Sequence, residues 1–91
     1  MANSKFLSTE NRGFQLTFNN GWTISVQYGN GNYCSNRNVE TKDEIFVESV
    51  TAEIAIWDAN KKDYDFGDRQ LCLGWLTTDE VADWIEKVKK F

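Results

Sequence analysis

The chain has 91 residues, with 14 acidic and 10 basic side chains for a net charge of −4, no histidine and two cysteines. A chain this short makes one domain that buries roughly 60–65 % of its unfolded surface, enough to fold alone with little margin. The acidic balance argues against non-specific nucleic-acid binding, two cysteines are too few for a disulfide scaffold, and the lack of histidine removes the commonest general base and transition-metal ligand.

Residues 1–13 are mostly polar. The stretch Met1-Ala2-Asn3-Ser4-Lys5 lacks the apolar run of a leader peptide, and no window approaches the ~18 apolar residues of a membrane span. The expectation is a reducing cytoplasm with Cys34 and Cys72 as free thiols. Phe6 and Leu7 are expected to tuck against a sheet, and Asn11-Arg12-Gly13 reads as a turn. From Phe14 the pattern sharpens: Phe14, Leu16 and Phe18 alternate with Gln15 and Thr17, the period of a half-buried strand. Asn20-Gly21 is the favoured pair where both central turn residues need positive φ. Trp22, Ile24, Val26 and Tyr28 then alternate with Thr23, Ser25 and Gln27, completing a β-hairpin.

Residues 29–44 read as a long polar excursion, after which Ile45 to Val47 could begin another strand. The next clear alternation sets Val50, Ala52, Ile54 and Ile56 against Thr51, Glu53, Ala55 and Trp57. A charged turn, Asp58 to Asp63, leads to a short return strand at Tyr64 and Phe66, and Leu71-Cys72-Leu73 to a brief strand or an extended lead-in. The closing helix is well marked. Thr77 and Glu80 fit a capping box, and Leu76 and Val81 stand where a hydrophobic staple would close over it. Val81, Trp84, Ile85 and Val88 form the apolar stripe. Acidic residues crowd the first turns and lysines the last, with Asp83–Lys87 and Glu86–Lys90 as i,i+4 pairs.

Strands first and a helix last define an α+β domain: an antiparallel sheet of about four strands, with the amphipathic helix packed on one face. That face takes Phe14, Leu16, Phe18, Ile24, Val26, Ile54 and Ile56, with Trp84 and Ile85 from the helix. There is no repeat and no linker, so residues 1–91 are read as a single domain.

Chemical signatures are sparse. Gly29-Asn30-Gly31 begins like a dinucleotide fingerprint but lacks the third glycine and the following helix. Two isolated cysteines cannot hold zinc alone, and the Asp58–Asp63 turn has two lysines between its carboxylates, so no metal or cofactor is expected. The many Asp and Glu residues read most simply as solubilising, and no catalytic residue is singled out. A nucleophilic Cys34 would need a thiolate-stabilising neighbour, for which Arg37 is the only local candidate.

One segment, Tyr28 to Arg37, stands out. Its glycines and its three asparagines, Asn30, Asn32 and Asn36, allow several positive-φ positions, Tyr33 offers a flat amphipathic ring, and Arg37 supplies a planar fork for carboxylate or phosphate. These residues could hold a small polar or anionic ligand or the tip of a partner protein. The competing reading is a loop whose Asn side chains satisfy its own backbone, with Tyr33 and Cys34 packed beneath. Trp57, on the sheet face opposite Ile54 and Ile56, is an anchor candidate beside Thr23, Ser25 and Gln27 unless Phe6-Leu7 covers it.

The runs Asn20-Gly21-Trp22-Thr23-Ile24-Ser25-Val26-Gln27 and Gly31-Asn32-Tyr33-Cys34-Ser35-Asn36-Arg37 resemble a group of small proteins from tailed-phage genomes and viral metagenomes. Ala52 to Asp58 and Asp79 to Ile85 look similar as well. The resemblance implies no catalytic or binding residues. It implies a context: a virus-encoded accessory protein in the cytoplasm of an infected bacterial cell. Sparse catalytic chemistry beside the polar-aromatic loop, set in that context, makes the expected function a non-enzymatic binding module that binds or sequesters a host protein or a small polar or anionic molecule. No nucleic-acid or membrane partner is expected. The alternatives are an assembly protein forming a homo-oligomer through its sheet edges, and a small carboxylate-based hydrolase.

Overall fold

Strand order in space follows strand order in the chain. The computed structural model describes residues 4–10 and 12–91. It contains β1 (Lys5–Ser8), β2 (Gly13–Thr17), β3 (Thr23–Gln27), β4 (Ala52–Trp57), β5 (Leu73–Leu76) and α1 (Thr78–Lys89), with the strands in one antiparallel sheet ordered β1-β2-β3-β4-β5. The fold is thus α+β as expected, with five strands rather than about four. The additional strand is β1, a four-residue edge that pairs Phe6 with Leu16. Phe6 is 87 % exposed, so β1 carries no burial pattern for an alternation to reveal. Phe6-Leu7 therefore does not cover Trp57, because β2 and β3 lie between β1 and β4. The turn expected at Asn11-Arg12-Gly13 falls partly outside the described residues, at Asn11.

The hairpin forms, with Phe14 opposite Val26 and Leu16 opposite Ile24. Its turn differs. The Phe18 N–H donates to the Trp22 carbonyl and the Gly21 N–H to the Phe18 carbonyl, both at 2.9 Å, which makes a three-residue loop. Only Gly21 is left-handed (φ +88°); Asn20 is not. The Asn20 side chain is used elsewhere. Its Nδ2 donates to the Val88 carbonyl at 2.9 Å and the Lys89 carbonyl at 3.2 Å, while its Oδ1 accepts the Trp22 N–H at 3.0 Å. The hairpin turn thereby caps the far end of α1, whose last carbonyls have no intrahelical donor.

Ile24 pairs with Ile56 and Val26 with Ile54, so the apolar residues of β2, β3 and β4 share one face. Helix α1 covers β3 and β4 on that face. Val81 and Val88 are buried and Trp84 and Ile85 partly so, as the stripe predicts. Both bonds of the capping box form: Thr77 Oγ1 accepts the Glu80 N–H at 3.3 Å, and Glu80 Oε1 accepts the Thr77 N–H at 2.9 Å. Leu76 and Val81 are buried on either side of that cap. Of the two expected ion pairs, Glu86–Lys90 forms at 2.9 Å. Lys87 instead lies over the Trp84 ring, 4.6 Å from its centroid.

Two other expected strands do not form. Ile45–Val47 is irregular and projects Ile45 and Phe46 into solvent. Tyr64 and Phe66 follow an isolated bridge from Trp57 to Asp63 and enter an aromatic cluster with Trp22, Trp84 and Phe91. Ring packing at that corner replaces the ladder a return strand would have made. The strand expected at Leu71–Leu73 begins only at Leu73, as β5.

Candidate binding site at the loop and bulge

The site begins with a register mismatch. Ala52 pairs with Leu76 and Ile54 with Leu73, so β5 takes three steps where β4 takes two. The extra residue is absorbed at Gly74-Trp75, and Trp75 adopts φ +59°. A bulky aromatic side chain in that region is a genuine outlier, costing about 1–3 kcal/mol, and such strain clusters at functional sites. Trp75 is also 55 % exposed, so burial of its ring does not offset the strain.

The bulge is joined to the Tyr28–Arg37 loop. The Trp75 N–H donates to the Tyr33 carbonyl at 2.8 Å. Gly74 lies so close to the loop that a Cβ there would sit 2.5 Å from the Tyr33 Cβ, which requires glycine. Glu53 on β4 holds the other side of Tyr33, accepting its N–H at 2.7 Å. Ser35 is tied to Thr51, whose Oγ1 accepts the Ser35 N–H at 2.9 Å.

Within the loop, two of the three candidate asparagines are committed to backbone. Asn30 Nδ2 donates to the Arg37 carbonyl at 3.1 Å, and the Asn30 N–H to the hydroxyl of buried Thr41 at 3.0 Å. Asn36 Nδ2 donates to the carbonyls of Tyr28 at 2.9 Å and Glu48 at 2.8 Å. Cys34 is fully buried beneath, its thiol donating to the Gly29 carbonyl at 3.5 Å. Asn32 shapes the turn through its main chain, donating to the Gly29 carbonyl and accepting the Cys34 N–H. These contacts match the self-satisfied reading of the loop for Asn30, Asn36 and Cys34. Tyr33 departs from it. Its ring is 45 % exposed, and the Arg37 guanidinium lies over it, 4.3 Å from the centroid. Among the described residues Arg37 has no carboxylate partner.

Trp57 does not join this group. It pairs with Thr23, half-buried, four positions along β4 from Glu53 or about 13 Å by strand geometry. The tryptophan beside the loop is Trp75, which no sequence pattern indicates, because the bulge depends on pairing between β4 and β5 rather than on local spacing.

Both cysteines are free. The Cys72 thiol is pushed up from its ordinary pKa by burial, then by the charge of Glu53 and a hydrogen bond to it, so it stays protonated and weakly nucleophilic. The acidic turn serves its own backbone, Asp58 Oδ1 accepting the N–H groups of Asn60 at 2.9 Å and Lys62 at 3.0 Å. Among the described residues no three metal-ligating side chains cluster, and no helix is long and apolar enough to cross a membrane. What the fold defines is a class: an α+β domain whose last strand is joined, through the backbone of Trp75, to a loop carrying the Tyr33–Arg37 stack. Compared with known protein families, curated proteins and solved structures, the chain matches none.

Proposed function

We propose that this chain is a non-enzymatic binding module whose contact surface is the edge formed by Tyr33, Arg37 and Trp75. The observation that carries this reading is Trp75, held in a strained conformation and still presented to solvent. Trp, Tyr and Arg are the residue types that dominate interface hot spots. Here they stand on backbone fixed by hydrogen bonds, so little ordering entropy remains to oppose binding. Stacking on Tyr33 leaves the guanidinium edge of Arg37 open to a bidentate carboxylate. The partner is accordingly a protein that presents an acidic side chain beside an apolar one. The resemblance to tailed-phage proteins makes that partner a component of an infected bacterial host.

The test is affinity for the protein that co-purifies with the chain from bacterial lysate as a complex of defined stoichiometry. Trp75→Ala and Arg37→Ala should each weaken that complex by about tenfold or more, while Trp57→Phe leaves it intact. Equal affinity for all three variants would remove this edge from consideration. A second reading, assembly through sheet edges, draws on β1, the outermost strand among the described residues, whereas β5 is tied to the loop at Tyr33.

A further inference from the structure

On the helix side of the sheet, between the first turns of α1 and residues 47–51, the core opens into an apolar groove of about 430 Å³. Val26, Ala52, Leu76, Val81 and Ile85 form its floor and walls, and Val47 and Val50 its rim. Immediately before this rim, Ile45 and Phe46 are 82 % and 89 % exposed. A groove and two apolar knobs that none of the described residues covers thus lie within one short stretch. We propose that the groove and its knobs form a self-complementary interface, in which two copies related by a twofold axis each seat Phe46 in the other's groove.

Three observations favour a second copy as the occupant. A twofold contact uses the same patch on both subunits, so knob and hole must lie together, and here both fall within residues 45–50 and the surface they adjoin. The volume fits: a dry cavity of about 150 Å³ accepts a benzene ring, so this groove can take the phenyl ring of Phe46 and the side chain of Ile45. The area is that of a weak dimer: Ile45, Phe46 and Val50 expose roughly 300–400 Å² of apolar side chain, and full reciprocal burial with the facing walls removes at most about 1,000 Å², the lower bound of a specific interface. The rim is also held in place. Asn36 binds the Glu48 carbonyl, the hydroxyls of Ser35 and Thr51 lie 2.9 Å apart, and the Ser49 hydroxyl donates to the Thr51 carbonyl at 2.7 Å.

The interface is separate from the Tyr33–Arg37–Trp75 edge and does not rest on the function proposed for it. Sedimentation velocity of the purified chain from about 1 to 500 μM should show a monomer–dimer equilibrium, weakened by about tenfold or more in Phe46→Asp and unchanged in Phe6→Asp. Phe46 is exposed in the monomer, so its substitution leaves the circular dichroism spectrum intact, and the melting temperature as well at concentrations where the wild type is monomeric. A monomer throughout that range would overturn the proposal. So would a dimer lost in Phe6→Asp and kept in Phe46→Asp, which would place the contact at the β1 edge. A native mass spectrum showing a small molecule bound to the monomer, and still bound in Arg37→Ala and Trp75→Ala, would also overturn it, by giving the groove to a ligand.

Discussion

Glu53 serves two neighbours at once: its carboxylate accepts the Tyr33 N–H at 2.7 Å and lies beside the Cys72 thiol. Burial, the Glu53 charge and a hydrogen bond to Glu53 all favour the neutral thiol. Because the folded-state pKa is raised, the associated stability is fully present below the ordinary thiol pKa and is lost as pH climbs through the raised value, above about pH 9. Cys72 should therefore react with iodoacetamide more slowly at pH 8 than an unstructured cysteine peptide does, and Glu53→Gln should accelerate the reaction. Peptide mass spectrometry of timed samples checks both. At this scale the sequence is informative about kind and silent about partner. Asn30 and Asn36 read as loop residues able to satisfy backbone, but that Thr41 and Glu48 meet them depends on the folding of the whole 28–51 connection. Trp75 was hidden for the same reason, since its backbone angle follows from the register of β4 against β5.

Turns show where local rules suffice and where packing overrides them. The loops Phe18–Trp22 and Asp58–Lys62 share one hydrogen-bond pattern, with Lys61 (φ +66°) standing where the first loop has Gly21. The turn with two positive-φ central residues, expected at Asn20-Gly21, occurs instead at Gly67–Gln70. There the Gln70 N–H donates to the Gly67 carbonyl at 2.9 Å, with Asp68 at φ +51° and Arg69 at +63°. Nothing about Arg69 advertises such a turn, whereas Asp-Gly would. Arg69→Gly should accordingly raise stability by about 0.5–1 kcal/mol, read as a higher urea midpoint with an unchanged slope. The hairpin strands, β4 and α1 were legible because burial on one face imposes a period and the capping box is written in neighbouring residues. Strand β1 was not, because an exposed edge strand has no buried face to leave a pattern.

At the scale of the molecule, the connection between β3 and β4 carries two surfaces with different chemistry. Tyr33 and Arg37 lie in its first half and Ile45 and Phe46 in its second, with Asn36 joining the halves through the Glu48 carbonyl. The sheet itself is a simple meander, yet the helix that follows it is fastened at its far end to the β2–β3 hairpin. The Asn20–Val88 bond spans 68 positions, and edge-on packing of Trp22 against Phe91 at 4.8 Å reinforces it. Closing a loop of that length costs roughly 4 kcal/mol of chain entropy, so the clasp becomes favourable only after the intervening strands have drawn its ends together. It should therefore be absent from the rate-limiting step of folding. Asn20→Ala should speed unfolding by about tenfold and leave the refolding rate nearly unchanged in stopped-flow chevrons. The clasp then sets how long the domain stays folded, while the speed of its assembly is decided within the sheet.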